Sequence, residues 1–314
     1  MTVSGADTEV EPTVNPSKRI TGLLVNDRSR LGFHAEAAVL RALRGEGIKP
    51  AFSARVKRSR GLMAAIDALL AEGVDRLIVG GGDGTLSAVA GRIARRPVEL
   101  GVIPLGTAND FARTLNIPPS LEAAARVIAS ERVQLVDLGR ANDAHFLNVA
   151  SIGMSVSAMD ELSPWVKHWF GSLAYFYAGA RAFGRHPIFQ FRGRVGADTI
   201  ESTAHQIVVG NGRFYGGGVL VARQSTLEDG LLHAYALGTR GRWQLLWTIA
   251  RLRLGIPIDR PGDFFIPTTS LAVETWPALP VNCDGEIRTT TPVTFAVEPA
   301  ALRVLAPDPG PRAD

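Results

Sequence analysis

The sequence predicts an α/β domain built on a parallel sheet, followed by a β-rich domain of sandwich or barrel type. Three observations predict it. Between Arg76 and Thr114 two short apolar runs follow one another, each ending in a tight turn and a helix start. That alternation marks buried parallel strands joined by crossover helices. From about Leu138 the texture changes to short strands separated by Gly, Asn and Asp turns, with few helices between them. Finally, 314 residues exceed one typical domain, and a hydrophobic content of 46% supports a substantial core.

Taken in order, residues 1–17 read as a disordered leader, small, polar and acidic with Pro12 and Pro16. The α/β domain runs over 18–137 and the β-rich domain over 138–299. A first strand at 19–25 ends at Asn26 and Asp27, and helical spacing over 35–44 closes at Gly45. A strand at 51–56 precedes a helix over 62–70 with Leu62, Ile66, Leu69 and Leu70 on its apolar positions. Leu77, Ile78 and Val79 then make a buried strand that Gly80, Gly81 and Gly82 stop, and Thr85 or Ser87 can cap a helix over about 86–94. The unit repeats in outline: a strand at 100–103, a tight turn through Pro104, Leu105, Gly106 and Thr107, and a helix opened by Asn109 to Arg113. A helix over 121–130 and a strand at 133–138 lead out of the domain. The later strands are expected at 145–150, 190–195, 205–210, 218–221, 231–237, 271–274 and 293–297. Two helical inserts interrupt them. One, over 164–177, aligns Trp165, Trp169, Leu173 and Phe176; the other, over 242–254, aligns Trp243, Leu246, Trp247, Ala250 and Leu254 beside Arg242, Arg251 and Arg253. Such faces usually pack on a sheet, and Trp beside Arg also fits docking on a bilayer.

The chemistry concentrates in Gly80-Gly81-Gly82-Asp83-Gly84-Thr85. A glycine turn between a strand and a helix start aims backbone N–H groups at one spot, which is an anion site. A second such turn at Gly106 and Thr107 would sit beside it, at the carboxyl ends of parallel strands where open α/β sheets bind ligands. Asp83 adds an acid to the cradle. A carboxylate next to phosphate is repulsive unless a cation or a proton transfer engages it, so the turn reads as phosphate plus acid together. No Gly-Lys-Ser/Thr follows, which excludes a Walker loop, and the acid inside the turn fits the G-x-G-x-x-G fingerprint poorly.

GGGDGT at 80–85, IPLGTANDFAR at 103–113, NGRFYGGGVLVARQSTLEDGLL at 211–232 and VNCDGE at 281–286 occur in that order. Together they resemble the bacterial lipid kinases with a diacylglycerol-kinase catalytic domain, relatives of sphingosine and ceramide kinases and more distantly of NAD kinases. The resemblance covers nearly everything after residue 18. It implies a Rossmann-like nucleotide domain followed by a mostly antiparallel two-layer β-sandwich, with a last strand at 300–307 returning to the first domain and the active site between them. It implies ATP and Mg2+ as cofactors and a hydroxyl of a diacylglycerol, ceramide or sphingoid-type lipid as acceptor. Such a transfer needs a donor-phosphate cradle, a divalent cation and a base. By resemblance Asn26, Gly80 to Thr85, Gly106, Thr107 and Asn109 hold the nucleotide. Glu286 accepts the proton of the substrate hydroxyl, with Asp284 and Asp83 beside it to order magnesium and water. The Asp229 carboxylate and the Thr226 and Leu231 carbonyls hold a structural magnesium, for which hard oxygen ligands are suited. Asp110 is a further acid near the second turn. Asp27 stands where the family has a proline, Val56 and Lys57 where it often has a threonine, and Ser87 and Ala88 where it usually has Asn and Glu. A soluble NAD kinase, or a catalytically silent nucleotide or lipid sensor, are the rival readings.

A net charge of +4 suits an anionic membrane surface or a phosphorylated substrate. The single cysteine, Cys283, excludes an internal disulfide framework and a Cys-based zinc cluster. The polar, acidic N-terminus is unlike a signal peptide, and no apolar run is long enough to span a bilayer. The expected location is therefore the cytoplasm, peripherally associated with the inner face of the membrane. Basic residues are scattered and no recognition motif is present, so no nucleic-acid partner is expected. A homodimer is left open.

Overall fold

The computed structural model of the protein describes residues 19–26, 34–56, 61–153, 188–212, 214–215, 219–220, 226–238 and 264–308. The expected leader, Asp27, Lys57 and the two aromatic helical inserts lie outside these residues.

Burial along each strand follows its place in the sheet. β3 (Arg76–Gly81) and β4 (Glu99–Pro104) are buried at every residue, as interior parallel strands must be. β1 (Thr21–Asn26) is buried almost throughout, whereas β2 (Phe52–Val56) alternates, as an edge strand does. These four pair in parallel in the order β2-β1-β3-β4. The intervening helices are α1 (Ala35–Gly45), α2 (Leu62–Ala71) and α3 (Asp83–Ile93), with α4 (Asp110–Thr114) and α5 (Leu121–Ala129) after β4. The Ser120 hydroxyl accepts the Ala123 N–H at 3.2 Å and so caps α5.

Two sequence expectations change at the glycine turn. Gly80 and Gly81 belong to β3, which runs on through Gly81 before it ends. Helix α3 begins at Asp83 with Gly82 as an extended N-cap, so neither Thr85 nor Ser87 caps it. The reason lies in Thr85: it sits directly on Gly81, where an added Cβ would be 2.7 Å from the Thr85 Cβ. The strand therefore passes into the helix almost without a loop.

β5 (Val133–Ala141) leads into the second lobe. Its strands are β6 (Ala144–Phe146), β7 (Val149–Gly153), β8 (Phe189–Val195), β9 (Asp198–Ala204), β10 (Gln206–Gly210), β11 (Phe214–Tyr215), β12 (Val219–Leu220), β13 (Leu232–Leu237), β14 (Phe264–Thr268), β15 (Ser270–Trp276), β16 (Pro280–Cys283), β17 (Glu286–Thr290) and β18 (Val293–Leu305). One antiparallel layer runs β14-β13-β10-β7-β16-β17. The other layer is continuous with the parallel sheet, in the order β2-β1-β3-β4-β18-β15-β8-β9, with β5 on β18 and β6 on β5.

β18 makes that continuity. Its first half pairs antiparallel with β15, and its Arg303 and Val304 pair in parallel with Glu99 and Leu100 of β4. The two separate strands read from the sequence are thus halves of one 13-residue strand. A register shift between Glu298 and Leu302, with Ala300 at φ 50°, breaks the alternation at its middle and hides the continuity. Each lobe has its own core. Leu23, Ile78, Leu100 and Phe111 are fully buried in the first. Phe146 and Phe295 meet edge to face at 6.4 Å in the second.

Candidate active site

The order β2-β1-β3-β4 reverses direction between β1 and β3, and a parallel sheet binds ligands outside the carboxyl ends of strands at such a reversal. Those ends carry Asn26 and Gly81. The Asn26 side-chain amide donates to the Thr85 hydroxyl at 2.9 Å, bridging the reversal. The two glycine turns do lie side by side. The Leu105 N–H donates to the Gly81 carbonyl at 2.9 Å, and a Cβ on Gly106 would stand 2.6 Å from the Gly82 Cα. On the open side, Gly84 has no heavy atom within 4 Å of where its Cβ would be, and Thr107 is exposed. The first-turn N–H groups of α3, at Asp83 and Gly84, have no acceptor earlier in the helix, so this face is electropositive and suited to phosphate.

Side chains of the motif brace its shape. Asn109, in the left-handed region at φ 50°, folds back so that its Oδ1 accepts the Gly106 N–H at 2.8 Å and its Nδ2 donates to the Gly106 carbonyl at 2.9 Å. Asp83 accepts the N–H groups of Asp110 at 3.2 Å and Phe111 at 3.0 Å, and so caps α4 rather than its own helix. Each Asp83 oxygen keeps a second lone pair, which suits a hard cation or an ordered water. Asp110 is itself buried and pairs with Arg113 at 3.4 Å.

The late Asp-Gly-Glu corner joins β16 to β17, with Asp284 at φ 49° and Gly285 at φ 94° in the left-handed region that such tight hairpins require. The Asn282 Oδ1 accepts the Gly285 N–H at 2.8 Å. The Asp284 carboxylate accepts N–H groups from Leu147 at 2.6 Å, Asn148 at 2.9 Å and Val149 at 3.1 Å. Burial of the carboxylate outweighs these donors and pushes Asp284 above the usual carboxylate range. Helix α3, which leaves the glycine turn, lies against β6 of the second lobe, where a Cβ on Gly91 would stand 3.8 Å from the His145 side chain. Glu286 stays in solvent, its side chain 59% exposed, with the Arg288 guanidinium 2.8 Å from its carboxylate.

The acidic turn at Thr226 to Leu231 is held mainly by N–H donors. Asp229 Oδ2 accepts the Thr226 N–H at 3.0 Å and lies 3.1 Å from the His233 ring; its Oδ1 accepts the Leu231 N–H at 2.9 Å. Burial raises this carboxyl, but the His233 ring and the two N–H groups outweigh it and hold Asp229 below the usual range. Oδ1, with one partner among the described residues, keeps a lone pair suited to a cation. Among the described residues no group of three or more His, Cys, Asp and Glu side chains gathers around a common point. The turn is tied down by buried Asp137, which accepts the Gly230 N–H at 2.7 Å and the Ala300 N–H at 2.8 Å. Sequence reasoning missed Asp137 and His233, which no motif marks.

A parallel sheet whose adjoining glycine turns suit an anion, joined through β18 to a β-sandwich that carries an Asp-Gly-Glu hairpin, is the plan of a two-lobed kinase. Residues 23–141 match the diacylglycerol kinase catalytic domain and residues 148–306 the YegS C-terminal NAD kinase beta sandwich-like domain. The chain belongs to the lipid kinase family that carries these two domains. It is 35% identical over 253 residues to a Pseudomonas aeruginosa protein named "Probable lipid kinase YegS-like", covering 78% of this chain and 81% of that one. The crystal structure of a diacylglycerol kinase from Bacillus anthracis superposes with a TM-score of 0.76 at 24% identity, covering 92% of this chain and 97% of the other, which bears on the fold.

Proposed function

We propose that this protein is an ATP- and magnesium-dependent lipid kinase that transfers the γ-phosphoryl group to the hydroxyl of a diacylglycerol, ceramide or sphingoid-type lipid. The observation that carries the reading is the packing of the Gly106 turn on Gly82, which sets two anion-suited turns side by side, with Asp83 bonded to the N–H groups of Asp110 and Phe111. The Gly82 and Gly106 turns and the start of α3 cradle the donor phosphates. Glu286 takes the proton from the lipid hydroxyl as that oxygen attacks the γ-phosphorus and ADP leaves. Magnesium would neutralise charge developing on the phosphates, with Asp83 the acid best placed to order its shell.

Thr226, Asp229 and Leu231 are the proposed holders of a structural magnesium. The remaining lone pair of Asp229 Oδ1 supports that assignment, and a chelator should then lower the melting temperature of wild type but not of Asp229→Asn. No helix among the described residues is long and apolar enough to cross a membrane. Peripheral docking at the inner face of the membrane, where the acceptor lies, is part of the proposal.

The direct test is labelled ATP incubated with a total lipid extract, alongside a lipid-free reaction containing NAD. Chromatography should show one labelled lipid in the first and no labelled NADP in the second. Label in NADP alone, or in neither, overturns the reading. Glu286→Gln should lower kcat by about 10²–10⁴ with ATP binding retained, and an unimpaired variant would remove Glu286 from the chemistry.

A further inference from the structure

The Asp-Gly-Glu hairpin hangs on residues 147–149. Leu147, Asn148 and Val149 give their N–H groups to the Asp284 carboxylate at 2.6, 2.9 and 3.1 Å, and the Val149 carbonyl accepts the Asp284 N–H at 2.9 Å. The carbonyls of Leu147 and Asn148 are held from the other side, by Asn211. Its side-chain Nδ2 has two hydrogens, and it donates to the Leu147 carbonyl at 2.9 Å and to the Asp137 carbonyl of β5 at 3.0 Å. Its main-chain N–H donates to the Asn148 carbonyl at 2.9 Å, which the Gly212 N–H shares at 3.1 Å. Asn211 follows directly on β10 and is only 1% exposed, so no water can stand in for the amide if it is lost. Leu147 itself is fully buried in the core of the first lobe. One buried amide thus bridges the strand that leaves the first lobe and the residues that grip Asp284.

We propose that Asn211 is a positioning residue for the reaction: by bridging the Asp137 and Leu147 carbonyls it fixes the segment that holds Asp284, and so sets where the hairpin presents Glu286. This rests on the kinase reading above. Asn211 acts through residues 147–149 and Asp284, and Glu286 handles the proton. None of the bonds that make the bridge involves Gly82 or Gly106. Loss of the amide should therefore slow the chemical step and spare nucleotide binding, because small misplacements of a reacting group cost rate more than affinity.

The test reads rate, affinity and local protection in the full chain. With labelled ATP and total lipid extract in detergent micelles, Asn211→Ala should lower kcat about tenfold and Asn211→Ser, which keeps one donor, by less. The KM for ATP and the affinity for a fluorescent ATP analogue should stay within about twofold. In native hydrogen exchange read by mass spectrometry, peptides over 145–150 should exchange about tenfold faster in Asn211→Ala, while peptides over β1 and β3 keep the wild-type rate. Asn211→Ser carries the same readings should Asn211→Ala not fold. Wild-type kcat in the variants, an ATP KM that rises in step with the loss of rate, unchanged exchange at 145–150, or faster exchange spread equally over β1 and β3 each overturns the inference. If wild type labels no lipid, the kinase reading fails by itself. Exchange then decides the bridge: loosening confined to 145–150 supports it, and unchanged protection there sinks it.

Discussion

Burial, and secondarily the neighbouring Asp284 carboxylate, pushes the Cys283 thiol up to about 12, so at neutral pH it is neither nucleophile nor metal ligand. The folded protein should react with Ellman's reagent slowly and the denatured protein with one equivalent; rapid labelling of the native state would contradict the burial of this strand. Asp229 carries the opposite shift. Its folded pKa lies below the unfolded value, so its contribution to stability is present above roughly pH 4 and lost as pH falls through the folded value. The gap in melting temperature between wild type and Asp229→Asn should be full at neutral pH and shrink below roughly pH 4. At this scale the sequence was legible where chemistry is local. Gly82, Gly106 and Asp83 announce two adjoining tight turns with an acid between them, because backbone geometry and charge reside in the motif itself. What Asp83 and Asn109 do with their side chains was not legible. Each is committed to backbone groups, of α4 and of Gly106 respectively, that only the folded turns bring within reach.

At the scale of elements, the two turns depend on close backbone contact. Gly106→Ala would place a methyl 2.6 Å from the Gly82 Cα and 2.7 Å from the Asn109 Oδ1, neither of which can yield cheaply. It should weaken ATP binding at least about tenfold in titration calorimetry, because the cradle must open. Gly139→Ala serves as the counterpart in the core of the second lobe. Its Cβ would fall 2.3 Å from the Phe146 ring, so a loss of about 1–3 kcal/mol in denaturant unfolding is expected. β1, β3 and β4 were readable because each is a largely continuous apolar run, whereas β2 alternates as an edge strand does. The start of α3 and the unity of β18 were not readable. The first depends on Thr85 packing over Gly81, and the second is hidden by the bulge at Glu298 to Leu302.

At the scale of the molecule, β18 welds the lobes by pairing with β4 at one end and β15 at the other. Helix α3 adds a second contact between the lobes where Gly91 lies close to His145 of β6. Two lobes joined by a shared sheet can hold an acid from one against a phosphate from the other without a hinge to close. The change from crossover helices to short turn-linked strands at Leu138 made the two-lobe plan visible in the sequence. The merging of the sheets was invisible there, since it is set by pairing between residues some 200 positions apart, such as Arg303 with Glu99. The central claim is that nucleotide and acidic corner meet across this junction. A crystal structure with a non-hydrolysable ATP analogue and magnesium tests it most directly. The account predicts phosphates on the Gly82 and Gly106 turns with the Glu286 carboxylate facing the terminal one; phosphates bound elsewhere, or Glu286 turned away toward solvent, would contradict it.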